Sequence, residues 1–282
     1  MTSGHAADTV PEMHQVKPVV LALDFDGVLC DGRREYFETA WRAYARCWAA
    51  PALSPDRRAA LASEFSSLRP LVESGWEFPL LVHALLSGIH VPAPDDRAAW
   101  LAATQRLVAE AGLSTEALKS WVNEVRDDWF AADPADWLAH HDFYPGIVGR
   151  VERALADRVV PVIVTTKAER FVRALLAAHG ERLATLSIMG WEAQRIVPKD
   201  ECLRRVIAAH ALEADGAGIW FVEDMLETLE KIDRARPPLG GVKRLLAGWG
   251  YNTPAQRRRA RDGGHIHVID LARFGGDFSG WL

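Results

Sequence analysis

The sequence predicts an α/β protein, three layers deep, with a parallel sheet between two layers of helices and an all-helical insert interrupting it. Three observations predict this. Short apolar runs rich in branched residues recur along the chain, each followed by a helix-like stretch, which implies βαβ units and strands buried on both faces. The three clearest runs all end in polar residues. The interval between the first run and the second reads as helix after helix.

Taken in order, the opening "MTSGHAADTVPEMHQ" has no apolar run of the kind a leader peptide carries, and residues 1–16 are expected to form a mobile tail. "KPVVLALDF" is too short and too rich in branched residues for a helix and reads as a buried strand that delivers Asp24 and Asp26 at its C-terminal end. Helical periodicity follows in "REYFETAWRAYARCWAA", "DDRAAWLAATQRLVAEAG" and "STEALKSWVNEVRDDWF", broken by turns such as "VPAPDD" and "ADPADW". "VVPVIVTT" (159–166) and "GIWFVED" (218–224) are the next strands, with "VKRLLAGWG" and "HIHVIDL" as weaker ones of the same kind. The expected organisation is a core of residues 17–32 and 144–282 around an insert of residues 33–143.

A chain of 282 residues suffices for one large domain or a core with an insert. With 49% hydrophobic and 25% charged residues it belongs to the folded, soluble class. A formal net charge of −5 gives no electrostatic reason to expect nucleic acid or an anionic membrane as partner, and no run approaches a membrane span. Cys30, Cys47 and Cys202 lack C-x-x-C spacing, so neither zinc nor a disulfide framework is indicated and a reducing, cytoplasmic setting is expected.

Ligands of open α/β sheets bind beyond the carboxyl ends of the strands, where polar residues from several strands converge. Asp24 and Asp26 end one strand, Thr165 and Thr166 a second, Glu223 and Asp224 a third. Lys199 precedes a helix in "VPKDECLRRV". These residue types suit phosphoryl transfer. A phosphate monoester is a dianion and an aspartate nucleophile is another anion, so attack requires a cation between them, and Mg2+ prefers oxygen ligands.

The segments "DFDGVL", "VIVTTK", "VPKDECLRRV" and "WFVEDMLETL", in this order, resemble the four motifs of the haloacid dehalogenase-like superfamily of phosphatases and phosphotransferases. "GWGYNTPAQRRRARDGG" followed by "HIHVIDLARF" is similar to the family's later stretch, so the resemblance covers essentially the whole chain. It implies a Rossmann-like core with residues 33–143 as a C1-type cap domain. The implied activity is magnesium-dependent hydrolysis of a small phosphorylated metabolite through an aspartyl-phosphate. Asp24 would be the nucleophile, while Asp26 would handle the leaving-group and water protons and offer its backbone carbonyl to the metal. Asp224 would be the remaining metal carboxylate. Thr165, with Thr166 as its local competitor, and Lys199 would bind phosphate. The common fourth motif is G-D-x-x-x-D, whereas this chain has Glu223 in place of Gly and Thr228 in place of the last Asp, with Glu227 one residue early. Glu223 is therefore given a place behind the metal ligands. A phosphomutase shares these core residues, and a non-catalytic binding or regulatory protein keeping the fold is the alternative of a different class.

The stretch "SSLRPLVESGWEFPLL" reads either as an ordinary interhelical turn or as a loop over the site in which Arg69 meets a substrate anion and Trp76 an apolar face, and the other tryptophans are expected to be mostly core. Lys167 is a competitor of Lys199 for the role of phosphate cation, but is read in preference as a solvated lysine at a helix start, and "AQRRRAR" as a solvated basic face. Lys119, the insert's lysine, is expected to be exposed, which argues against Schiff-base chemistry. His140, His141, His265 and His267 lack the carboxylate or cysteine companions of a metal site and are read as structural or exposed. The sequence leaves the substrate open among phosphoglycolate, a sugar phosphate and a nucleotide.

Overall fold

The protein is described here by a computed structural model covering residues 17–192 and 195–282. The tail assigned to residues 1–16 lies outside the described residues. The strands are β1 (Val20–Leu23), β2 (Cys30–Asp31), β3 (Asp142–Phe143), β4 (Val160–Val164), β5 (Ser187–Met189), β6 (Trp191–Glu192), β7 (Arg195–Ile196), β8 (Ile219–Glu223), β9 (Lys243–Ala247) and β10 (Ile266–Ile269). Six form a parallel sheet in the order β10-β9-β8-β1-β4-β5, as the βαβ pattern requires. β1 lies centrally with Val20 opposite both Val160 and Ile219, so the strand ends carrying Asp24, Thr165 and Asp224 are neighbours.

Side chains alternate across a strand, and here both faces are apolar. Leu21, Leu23, Ile163, Trp220 and Val222 enter one buried cluster, whereas Val20, Ala22, Val162, Val164, Ile219 and Phe221 enter the other. All four β1 side chains are fully buried. The helices covering these faces include α7 (Ile147–Ala156), α8 (Glu169–Ala177), the short α9 (Glu181–Ala184), α10 (Lys199–Ala209), α11 (Leu226–Asp233) and α12 (Pro254–Gly263). The three-layer α/β architecture is thus present. The edge strand β5 escaped the sequence reading because it has three residues and a single neighbour in the sheet, leaving little apolar signal.

Residues 33–139 supply α1 (Arg33–Cys47), α2 (Pro55–Ser67), α3 (Phe78–Ser87), α4 (Arg97–Glu110), α5 (Thr115–Ala132) and α6 (Pro134–Ala139). Their starts are written locally. The side chains of Ser54, Asp96, Ser114 and Asp133 each accept a backbone N–H of the first turn, and Pro55 and Pro134 occupy the first helical position, where no N–H is needed. The stretch read as a loop contains two single turns of 3-10 helix, Arg69–Leu71 and Gly75–Glu77. The insert has its own apolar cluster, which includes Phe37, Tyr44, Phe65, Leu81 and Trp100. The insert's two ends meet where β2 pairs antiparallel with β3, Cys30 opposite Phe143 and Asp31 opposite Asp142.

Gly190 follows β5 with φ of +129°, and a Cβ built there would lie 1.8 Å from the carbonyl oxygen of Thr165. Gly190→Ala is therefore expected to push the end of β4 out of place and lower stability by about 1–3 kcal/mol or more, measured by denaturant unfolding.

Candidate active site

The chain leaves β1 through a tight turn that presents both aspartates. The Asp24 N–H donates to the Val222 carbonyl at 2.9 Å, carrying strand geometry up to Asp24. Gly27 then turns with φ of +82°, and its N–H donates to the Cys30 carbonyl at 2.8 Å. A Cβ on Gly27 would lie 2.1 Å from Asp224 Oδ2, and one on Gly250 2.4 Å from Asp224 Cβ. Two glycines thus make the space in which Asp224 sits. Its Oδ2 accepts the Tyr251 N–H at 2.8 Å, and Asn252 Nδ2 donates to its carbonyl at 2.9 Å.

Asp24, Glu223 and Asp224 are all buried, with relative exposures of 7%, 0% and 1%, and each presents an oxygen within 4.8 Å of the others. Lys199, at the start of α10, places Nζ 3.0 Å from Asp24 Oδ2 and 2.6 Å from Glu223 Oε2. Glu223 Oε1 accepts the Met225 N–H at 3.1 Å, so both of its oxygens are engaged within the protein. Glu227 is turned elsewhere, accepting from Gln256 and Arg259 of α12. The Thr165 N–H donates to the Met189 carbonyl, its hydroxyl oxygen accepts the Lys167 N–H at 3.2 Å, and exposed Thr166 lies beside it.

The electrostatics follow from the count. Burial, then the charge of Glu223, raises Asp24 to about 7 against the opposing pull of Lys199. Burial likewise raises Glu223 to about 7, Lys199 opposing, and raises Asp224 to about 6 with help from Asp24. Burial alone would lower Lys199, but Asp24 and Glu223 outweigh it and hold it raised. Three buried carboxylates face the Lys199 ammonium and the Arg69 guanidinium that acts on Asp224, so full ionisation leaves one negative charge unmatched. An all-oxygen donor set with that deficit suits a hard divalent cation.

A cavity of about 750 Å³ opens over this cluster, with Asp24, Asp26, Thr165, Thr166, Lys199 and Asp224 in its lining. Arg69 and Trp76 line it from the insert side. The Arg69 guanidinium lies 4.5 Å from the Tyr251 ring centroid and 5.1 Å from that of Tyr36, and donates to the Val72 carbonyl. The structure therefore brings together every residue singled out for the site. Lys119 also lines this cavity, with its side chain about half exposed.

One reading needs correction. Lys167 is not solvated: its side chain is 5% exposed, with Nζ 3.3 Å from Asp26 Oδ1, because the start of α8 faces the insert rather than water. His141 is buried, with Nε2 4.0 Å from Glu35 Oε2, and among the described residues it belongs to no metal-ligand set. Glu35 itself was missed. It is fully buried on α1, bound by Arg126 at 2.7 Å and by the Thr39 hydroxyl. Only Thr39 is a local partner; Arg126, His141 and Lys167 are far away in sequence, so no spacing rule could have found the set.

Burial opposes ionisation of Glu35, but Arg126, Lys167 and His141 reverse the balance and hold it down to about 2. A depressed carboxylate stabilises the fold above its unfolded value of about 4.5 and loses that contribution as pH falls toward 2. Glu35→Gln is therefore expected to cost about 3–5 kcal/mol at pH 7, and the gap from wild type should narrow below pH ~4.5 in unfolding titrations.

No protein-family model matches the chain, and no curated protein does either. Solved structures do. A predicted phosphatase from Clostridium acetobutylicum is 12% identical with a TM-score of 0.56, over 92% of this chain and 97% of that one. A predicted phosphoglycolate phosphatase from Haemophilus somnus is 14% identical with a TM-score of 0.56, over 91% and 96%. A haloacid dehalogenase-like family hydrolase from Streptococcus pneumoniae is 12% identical with a TM-score of 0.52, over 90% and 94%. Over nearly its whole length, then, this chain has the fold of the haloacid dehalogenase-like hydrolases.

Proposed function

We propose that the protein is a magnesium-dependent phosphomonoester hydrolase acting on a small phosphorylated metabolite through an aspartyl-phosphate on Asp24. The observation that carries this is the convergence of Asp24, Asp26, Thr165, Lys199 and Asp224 on one cavity at the carboxyl end of the sheet. The phosphatases among its structural neighbours support the same reading.

Asp24, Asp224 and the backbone carbonyl of Asp26 would hold the metal. When bound, Mg2+ supplies the positive charge that screens nucleophile from phosphate and keeps them in line. Lys199 bears on the Asp24 oxygen at 3.0 Å, orienting the other toward phosphorus, while Thr165 and Thr166 donate to phosphate oxygens. Asp26 gives a proton to the leaving oxygen and takes one from the water that hydrolyses the acyl phosphate. Glu223, in place of the common glycine, stands behind this set and anchors Lys199.

Residues 33–143 act as a cap, bringing Arg69 and Trp76 to the substrate side of the cavity and excluding water. Arg69 is a buried guanidinium whose Nε lacks a partner, which suits an oxygen-rich substrate. Among the described residues no helix is long and apolar enough to cross a membrane; a cytoplasmic setting and a soluble metabolite as partner complete the reading.

Phosphate release from a panel of phosphomonoesters should occur with Mg2+, stop with chelator, and fall at least about 1,000-fold in Asp24→Asn. No release by folded wild type would favour the phosphomutase or the binding protein. Carboxylates raised to about 6–7 are costly to ionise in the folded protein, so their effect is to remove stability as pH rises from about 4 to 7. Mg2+ binds the ionised forms, so the rise in Tm that it produces should be larger at pH 8 than at pH 5.5, and absent in Asp224→Asn.

A further inference from the structure

Lys167 is a buried ionisable group of this cavity that the mechanism above leaves unused. It stands two residues beyond Thr165, and its Nζ has three polar neighbours: Asp26 Oδ1 at 3.3 Å, His141 Nε2 at 3.3 Å and Glu35 Oε2 at 3.9 Å. His141 Nδ1 lies 3.0 Å from the Trp137 carbonyl oxygen, which can only accept, so Nδ1 carries the proton and Nε2 offers a lone pair to Lys167. Glu35 is fixed by Arg126 and Thr39. The rings of Tyr36 and Trp137, 5.5 and 5.6 Å away, wall the ammonium in. Two of the three N–H groups of Lys167 thus have hydrogen-bond partners, one of them a single oxygen of Asp26, and Glu35 stands by as a charge neighbour.

We propose that Lys167 is a positioning residue that clamps Asp26 Oδ1, so that the other oxygen of Asp26 is held toward the leaving group of the substrate. The inference rests on the hydrolase reading above. In the first step an Asp24 oxygen bonds to phosphorus as the ester P–O bond breaks. The leaving oxygen keeps that electron pair and takes the proton from the free oxygen of Asp26. In the second step water attacks phosphorus, its proton passes to Asp26, and the Asp24–phosphorus electron pair returns to Asp24. Both proton transfers need the same oxygen in the same place, and the clamp supplies that constancy. Glu35, Arg126 and His141 lie within residues 33–143, whereas Asp26 and Lys167 lie at strand ends. The clamp is therefore complete only while the helical insert is seated on the sheet.

The discriminating experiment varies the leaving group. An alkoxide requires a proton to depart, whereas p-nitrophenolate does not. In Lys167→Met, kcat on the best alkyl phosphate of the panel should fall about 100-fold more than kcat on p-nitrophenyl phosphate, with both KM values within a few-fold of wild type. Lys167→Arg should recover part of the alkyl rate. Equal losses on both substrates, or a loss confined to KM, would make Lys167 a phosphate-binding or merely structural lysine and overturn the proposal. Where Lys167→Met does not fold, His141→Leu, which removes the acceptor without a change of charge, should shift the same ratio in the same direction; an unchanged ratio overturns the clamp. Wild type silent toward every substrate overturns the hydrolase reading and the clamp with it, whereas an active wild type whose variants keep the ratio overturns the clamp alone.

Discussion

The arrangement of this molecule turns on the attraction of one ammonium, that of Lys199, for carboxylates that the fold has placed out of water. Asp24 and Glu223 end adjacent strands, and Lys199 reaches both from the start of α10. Isolated burial of either acid would be costly, and the lysine offsets only part of that cost. What remains is a standing deficit of positive charge at the carboxyl end of the sheet, facing a cavity. A structural protein would relieve it by substituting apolar residues; a site that handles a cation and an anion together has reason to keep it.

Much of this was legible in the sequence. The strands β1, β4 and β8 are continuous apolar runs ending in acidic or hydroxyl residues, because burial on both faces leaves no room for alternation. Once those runs are aligned as parallel neighbours, the convergence of Asp24, Thr165 and Asp224 follows from topology alone. The glycines at 27 and 250 were legible only in part. Gly27 belongs to a recognisable turn, whereas the service of Gly250, which leaves space beside Asp224, depends on a loop that arrives from a later part of the chain.

The set around Glu35 was not legible, for a physical reason. A glutamate in a helix rich in charged and aromatic residues looks solvated, and nothing within one turn of it says otherwise except Thr39. Its burial is decided by α5, by the segment after α6 and by the start of α8, all meeting α1 in space. Misreading Lys167 as solvated has the same origin. Short-range pattern reports which residues face a core, but polar contacts buried between layers are settled by long-range packing.

The β2–β3 ladder carries a separate consequence. The chain departs toward its six helices and returns from them at points held side by side, Cys30 against Phe143 and Asp31 against Asp142. From the standpoint of the sheet, everything between is a single closed loop whose mouth has a fixed width. The entropy of closing such a loop grows only slowly with its length. Lineages could therefore lengthen, shorten or exchange what lies beyond that mouth while the strand ends beneath keep their register, so that new substrate preferences can be explored without renegotiating the chemistry.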